Sequence, residues 1–347
     1  MTAKKGDESG ALRQFKADLK QNTVGRLYVF YGEEPYLREF YTGELRRRLI
    51  PAGLESFNLF ELEGKTLTVE HLEEAVDRLP MMCPRILILV SDYDIYKAPE
   101  DQRERLTGLF EDLPDTCCLA FLYDTLDYKP DNRMKKLRTA FSRYGQEVCF
   151  PKQGQKDLVP WIIRHCAALG KEIDPGDAEH LLFLTDGAMH SLNTEIEKIG
   201  AYTRGKRITR TDIDAVVVPA LDAAVYHLTD AVLAQKYDKA AGILADLLRM
   251  QEEPIPILAA IGRQARQLYT ICVLRESGKN PADITTIWPR MTPWAARRLM
   301  ASAHCCTAKW CRGAVILCAQ TDFEMKSGGD PHELLIELLP RLRELAS

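Results

Sequence analysis

The chain has 347 residues, of which 46% are hydrophobic and 28% charged, and its formal net charge is −4. A chain of this length is too long for one ordinary domain, so two or three domains are expected. The composition is typical of a water-soluble globular protein. No apolar run approaches the roughly 20 residues that span a bilayer, and the N-terminal segment lacks the apolar core of a signal peptide. We therefore expect a cytoplasmic protein with no membrane partner.

The first 150 residues alternate between strand and helix patterns. Several of the strand patterns are continuous apolar runs, as in strands buried on both faces of a parallel sheet. The predicted strands are Leu27–Tyr31, Asn58–Glu63, Arg85–Val90, Cys118–Tyr123 and Gln146–Phe150. The predicted helices are Tyr36–Leu49, Val69–Arg78, Gln102–Leu113 and Arg133–Tyr144. This alternation predicts a three-layer α/β domain over residues 1–150.

Strand patterns almost vanish after Pro151, and two helical regions follow. The first, residues 151–218, predicts a small helical domain with N-caps at Ser191 and Thr209. The second, residues 219–347, predicts an all-α domain in which Thr292 caps a helix that begins at Pro293. The predicted helices are Lys156–Leu169, Gly176–Leu184, Ser191–Tyr202, Ala223–Ala234, Tyr237–Met250, Pro256–Arg275, Pro293–Ala303, Ala308–Lys326 and Pro331–Leu345.

The turn after the first strand has the position of a phosphate-binding loop but not its residues. A P-loop would read G-x-x-x-x-G-K-[ST], whereas this turn is Gly32-Glu33-Glu34-Pro35, with one glycine, no following lysine and two carboxylates that would repel phosphate. Asp92 and Asp94 follow a later buried strand, where a magnesium-binding carboxylate would stand. Without phosphate to share the ion, they are expected to be turn residues. We predict no catalytic residues and no cofactor.

Ten cysteines are present, and none forms a C-x-x-C pair. Cys305, Cys306, Cys311 and Cys318 lie close together in the sequence, beside His304, which raises the possibility of zinc. Because most of them fall in helical patterns and their spacing does not match a zinc knuckle, reduced and packed thiols are the favoured interpretation. No metal site is predicted.

Four local patterns, taken in order along the chain, resemble the bacterial DNA polymerase III delta-subunit family. They are the degenerate loop Tyr31–Leu37, the segment Thr185–Ile199 with its Gly, Leu, Glu and Lys spacing, the segment Glu252–Gln264, and Thr321–Ser327 near the C-terminus. The resemblance covers essentially the whole chain. It implies an AAA+-like α/β domain without a functional P-loop, a helical lid and an all-α collar that assembles with other subunits.

The resemblance also implies a function in DNA replication. In this family, delta binds the ring-shaped beta sliding clamp and opens it, and the loaded clamp tethers the polymerase to primed DNA. The implied partners are the clamp, the ATP-hydrolysing gamma or tau subunits, delta prime, and primed DNA within the assembled loader. The chain itself would be a non-catalytic subunit of the DNA polymerase III holoenzyme, whose activity is DNA-directed DNA polymerisation by nucleotidyl transfer.

Residues 79–83, Leu-Pro-Met-Met-Cys, stand between a predicted helix and a buried strand, and we call them the 79–83 loop. From the residues alone, the two methionines either plug a gap in the core or form a protruding apolar wedge that enters a partner's pocket. The resemblance implies the wedge, because two consecutive hydrophobic residues at this position contact the clamp in the family. Carried over, they are Met81 and Met82, with Leu79 in support.

Trp294, Arg297 and Arg298 form a second candidate site. The tryptophan could stack on a base at a duplex end while the arginines meet phosphate, or it could anchor the helical bundle with the arginines facing water. Family members can carry a tryptophan ahead of paired arginines in the collar, facing DNA. Acidic residues are absent from positions 284–321, and this locally basic stretch either contacts a phosphate backbone or forms ordinary solvated helix faces.

Two other hypotheses remain. An active NTPase with a divergent phosphate loop would bind ATP as an isolated chain, which Glu33 and Glu34 disfavour. A delta-prime-like structural subunit would carry a Ser-Arg-Cys finger and usually a zinc module, and neither motif occurs in the sequence.

Overall fold

The computed structural model describes residues 10–185, 187–280, 283–288, 291 and 293–345. The chain divides into two compact units, the first ending at Gly154 and the second beginning at Gln155. Each unit has its own buried core, and we describe them separately. The division into three domains at residues 150 and 218 stays a prediction.

The first unit is a three-layer α/β fold around a parallel sheet in the order β2-β3-β4-β1-β5. The strands are β1 Leu27–Tyr31, β2 Leu59–Glu63, β3 Ile86–Ser91, β4 Cys117–Leu122 and β5 Gly145–Cys149. The helices are α1 Gly10–Gln21, α2 Pro35–Leu49, α3 Glu55–Asn58, α4 Val69–Val76, α5 Glu100–Glu111 and α6 Lys135–Tyr144. Every predicted strand is confirmed to within one or two residues, whereas α1 and α3 were not predicted.

Alternate residues of the central strands face two different cores, which explains why these strands are apolar throughout. Leu27 and Val29 of β1 join the core built with α4, α5 and α6. Tyr28 and Phe30 join the core built with α1 and α2. Since both faces of β1 are covered, polar residues are excluded from either set of positions, and the sequence lacks the alternation of a half-exposed strand.

The second unit begins with four helices and a short parallel pair of strands. The helices are α7 Gln155–Ala168, α8 Pro175–Leu184, α9 Met189–Tyr202 and α10 Arg210–Val216, and the strands are β6 Glu172–Ile173 and β7 Arg207–Ile208. Thr209 caps α10 in a reciprocal capping box with Asp212, as predicted. The predicted N-cap at Ser191 is wrong: the chain turns at Gly187, where φ is +74°, and α9 begins at Met189.

The rest of the unit is entirely helical among the described residues. Its helices are α11 Leu221–Leu233, α12 Tyr237–Arg249, α13 Pro254–Glu276, α14 Ile284–Ile287, α15 Pro293–Ser302, α16 Ala308–Lys326 and α17 Pro331–Glu344, with a 3₁₀ turn at Ala303–Cys305. The predicted N-cap Thr292 lies outside the described residues. Within the described chain no single helix is long and apolar enough to cross a membrane; α10 and α11 reach that length and composition only as a pair bent by 110°.

Candidate functional site

The turn after β1 joins this strand to α2, where a phosphate-binding loop would stand, but it is closed by the protein's own side chains. Gly32 has φ +131°, and a Cβ there would lie 2.2 Å from the carbonyl oxygen of Phe150, so only glycine fits. The N–H of Glu34 donates to that same oxygen at 3.1 Å. The turn is therefore tied to the end of β5.

A buried arginine occupies this turn. Arg38, in the first turn of α2, donates from Nη1 to the carbonyl oxygen of Gly32 at 3.0 Å and from Nε to Asp124 at 2.6 Å. Its side chain is almost fully buried. The turn therefore presents a carbonyl oxygen to a cation, whereas a phosphate would require backbone N–H donors. Of the two carboxylates noted in the sequence, Glu33 is exposed and Glu34 is buried.

Asp92 follows β3, where a magnesium ligand would stand, and its carboxylate is hydrogen-bonded to the loop after β4. Its carboxylate accepts hydrogen bonds from the N–H groups of Asp124, Thr125 and Leu126 and from the Thr125 hydroxyl, at 2.7 to 3.2 Å. Burial alone would raise the pKa of Asp92, but these hydrogen bonds outweigh it and lower the pKa. Asp94 accepts from the N–H groups of Tyr96 and Lys97. Both aspartates are turn residues, as predicted.

The 79–83 loop lies at the opposite edge of the same sheet, before β3 begins, and three of its side chains are exposed. Leu79 is 80% exposed, Met81 52% and Met82 87%. The interpretation of the methionines as a core plug is therefore wrong. Met82 has φ +58°, a left-handed conformation that costs a residue with a Cβ roughly 1–2 kcal/mol. The surrounding structure must therefore enforce this turn.

A buried asparagine holds the loop in place. Asn58, the last residue of α3, is fully buried, and its side chain pairs with both backbone groups of Met81. Oδ1 accepts from the Met81 N–H at 2.7 Å, and Nδ2 donates to the Met81 carbonyl at 2.9 Å. This reproduces the two hydrogen bonds that a neighbouring strand would give, so the loop is fixed without becoming part of the sheet.

Arginines fix the two ends of the loop. The guanidinium of Arg78 lies 4.7 Å from the centre of the Phe60 ring. The guanidinium of Arg85 donates to three carbonyl oxygens at the amino edge of the sheet, those of Val24, Gly25 and Cys117, at 2.7 to 2.8 Å. The apolar tip thus projects from a rigid base, as a preorganised binding element requires.

The second candidate site has one exposed and one packed arginine. Arg297 is exposed on α15, whereas the guanidinium of Arg298 lies 4.2 Å from the Phe183 ring centre and 4.5 Å from that of Tyr226. Arg298 therefore joins α8, α11 and α15, and packing accounts for part of its role. The side chain of Trp294 lies outside the described residues.

Two further basic residues are exposed on α16. Lys309 and Arg312 of α16 are exposed, and like Arg297 they have no ion-pair partner among the residues that the structure describes. By contrast, Arg263 pairs with Asp222, and Arg275 donates to the carbonyls of Ala303 and Cys306. All of these basic residues are exposed, and they differ in that Arg263 and Arg275 interact with groups of the protein itself.

Three residues that hold these loops were not predicted from the sequence. Asn58 binds the backbone of Met81, and Arg38 and Asp124 pair beside the turn after β1. Asn58 was assigned to the start of β2, and its polar character directly before an apolar strand was the one available signal. Arg38 and Asp124 are 86 residues apart, and nothing local pairs them.

Comparison with known proteins agrees with this fold. The profile of the DNA polymerase III, delta subunit family matches residues 28–142, and that of the delta subunit's C-terminal domain matches residues 222–340. DNA polymerase III subunit delta of Bacillus subtilis is 24% identical over 92% of this chain and 93% of its own. The Escherichia coli subunit delta is 22% identical over 83% of this chain and 81% of its own.

The solved structure of the Bacillus subtilis DNA clamp loader delta protein has the same fold. It covers 96% of this chain and 99% of its own length, with a TM-score of 0.57 and 23% sequence identity. The two profiles describe the same subunit and together match about two thirds of the sequence, and the fold agrees with them over nearly the whole length. The chain therefore belongs to the DNA polymerase III delta-subunit family, with an AAA+-like α/β unit followed by a helical region.

Proposed function

We propose that this chain binds the beta sliding clamp through Leu79, Met81 and Met82 and opens the ring for loading onto primed DNA, without hydrolysing ATP itself. The observation that carries the proposal is the exposed apolar tip of the 79–83 loop, held by the buried Asn58. Fully burying a side chain of this size yields about 1.5–3 kcal/mol, so three of them supply a substantial part of a stable complex.

A preorganised tip suits ring opening as well as binding. A ligand shifts an equilibrium only by its differential affinity for the two states. If the tip fits the clamp better when the ring interface is open, binding itself drives the opening, and no chemistry in this chain is required. ATP on neighbouring gamma or tau subunits would then control access to the loop.

The closed turn after β1 supports a non-catalytic role. Arg38 donates to the carbonyl of the turn, where a phosphate would need N–H donors. The Asp92 carboxylate accepts from four donors of the neighbouring loop and is not available to Mg²⁺. The same observations disfavour an active NTPase with a divergent loop.

The helical region would supply the remaining contacts. Residues 219–347 would form the collar with gamma or tau and delta prime. Arg297, Lys309 and Arg312 offer an exposed positive surface to the phosphate backbone of primed DNA, with Trp294 and Arg298 as further candidates. Such a role places the protein in the cytoplasm.

A binding experiment with the isolated clamp tests the proposal. Replacing Met81 and Met82 together by alanine should weaken clamp binding by at least about 2 kcal/mol, roughly thirtyfold, since the loop loses most of its apolar contact. Met250→Ala is the matched control, because Met250 is an exposed methionine of the other unit. Wild-type affinity in the double variant, measured by surface plasmon resonance, would exclude this loop as the clamp-binding element.

A further inference from the structure

Three cysteine thiols that are distant in the sequence converge inside the helical region. Cys272 lies on α13, Cys306 directly follows the 3₁₀ turn, and Cys311 lies in the first turns of α16. All three are buried, and their Sγ atoms lie within 4.8 Å of one another. The Sγ of Cys306 is 3.8 Å from that of Cys272 and 3.5 Å from that of Cys311.

These separations suit one shared metal ion. A zinc–sulfur bond is about 2.3 Å long, which places two thiolates of a tetrahedral site about 3.8 Å apart. A disulfide would join only two of the three and would need its sulfurs about 2.05 Å apart. The neighbouring Cys318 shows how an ordinary thiol is accommodated, since it is buried among the aliphatic side chains of α13 and α16.

The surroundings of the three thiols favour negative charge. Nη2 of Arg275 lies 3.9 Å from the Sγ of Cys272, and the same guanidinium donates to the carbonyls of Ala303 and Cys306. Cys306 also directly precedes Thr307, the N-cap of α16, where the positive end of the helix dipole stabilises anions.

We propose that Cys272, Cys306 and Cys311 form a Zn²⁺ site that fixes the 3₁₀ turn and the start of α16 to α13. The three thiolates fill three positions of the tetrahedral ion, and a small ligand such as water completes it. Binding releases the thiol protons to solvent. Three thiolates and one Zn²⁺ leave a single negative charge, which the Arg275 guanidinium balances.

The site differs from the cysteine group suggested by sequence proximity. Cys305 is exposed and Cys318 belongs to another cluster, while Cys272 joins from 34 residues upstream of Cys306. The cysteines that are close together in the sequence therefore include only two of the three proposed ligands, Cys306 and Cys311.

Metal analysis of the full-length protein tests the proposal. After purification without oxygen or chelator, we expect about one zinc per chain by mass spectrometry of the elements, since each chain has one such three-thiolate site among its described residues. Cys272→Ser and Cys311→Ser should lose most of it, whereas Cys318→Ser, a buried thiol outside the cluster, should keep it. Co²⁺ added to the metal-free wild type should give a thiolate-to-cobalt absorption band that Cys272→Ser lacks.

A second measurement covers the case in which a variant fails to fold. Removing the metal from the wild type with a chelator should lower its Tm, and adding Zn²⁺ should restore it, with no such response in Cys311→Ser. The proposal is overturned if the wild type retains no zinc and gives no cobalt band, if it binds Cu(I) but not Zn²⁺, or if zinc content is the same in Cys272→Ser. Clamp binding is measured separately and does not depend on the outcome.

Discussion

At the scale of single residues, buried polar side chains make hydrogen bonds to backbone groups that have no partner in a helix or strand. Asn58 supplies Met81 with the donor and the acceptor that a strand would give, and Arg38 supplies the Gly32 carbonyl with a donor. An unpaired buried polar group costs about 1–3 kcal/mol, so each of these side chains is required where it stands.

Asn58→Ala tests the positioning of the 79–83 loop. The substitution removes both side-chain hydrogen bonds to Met81 but none of the apolar side chains at the tip. Ordering a freed residue costs about 1–2 kcal/mol, so we expect clamp affinity to fall about five- to thirtyfold. The affinity can be measured by isothermal titration, with Asn193→Ala, a half-buried asparagine of α9 in the other unit, as control. Unchanged affinity would mean that the loop needs no such support.

At the scale of elements, the carboxyl edge of the parallel sheet is where the loops after β1, β3 and β4 meet. Asp92 follows β3 and holds the loop after β4, while Asp124 of that loop holds Arg38 of the helix after β1. In nucleotide-binding sheets this edge contacts ligand. Here the polar groups of the three loops satisfy one another.

The lowered pKa of Asp92 makes this edge sensitive to acid. A carboxyl group whose pKa is lower in the folded state stabilises the fold at neutral pH, and this contribution is lost as the pH falls below the ordinary range of about 4. Asp92→Asn should therefore be less stable than the wild type at pH 7, and the difference should shrink at lower pH.

Urea unfolding at a series of pH values measures this difference. Asp115→Asn is a suitable control, since the Asp115 side chain is 94% exposed and a surface pair contributes little. A difference between wild type and Asp92→Asn that stays constant with pH would show that the carboxylate is not the stabilising group.

At the scale of the whole molecule, the α/β unit uses the two edges of one sheet in different ways. The edge that would bind nucleotide is filled by the protein's own side chains, and the other edge presents an apolar tip. This arrangement supports the proposed role, in which the α/β unit binds a partner and does not use ATP itself.

The isolated chain should not bind ATP. Because Arg38 and Asp124 occupy the turn after β1, equilibrium dialysis with Mg²⁺ should detect no saturable binding up to about 1 mM, the upper end of ordinary substrate affinities. A stoichiometric complex in that range would contradict the closed turn and favour the divergent NTPase.

The sequence by itself determined the fold class and most of the elements, although it did not predict α1 and α3. Continuous apolar runs are local and reflect burial of both sheet faces, so they located the central strands β1, β3 and β4, and the Thr209 cap located the start of α10. Only the tertiary structure decided which residues meet. Arg38 and Asp124, Asn58 and Met81, and Cys272 and Cys306 are separated by 86, 23 and 34 residues, and no local pattern encodes such pairs. Whether a methionine plugs a core or projects from it depends on how the chain around it packs.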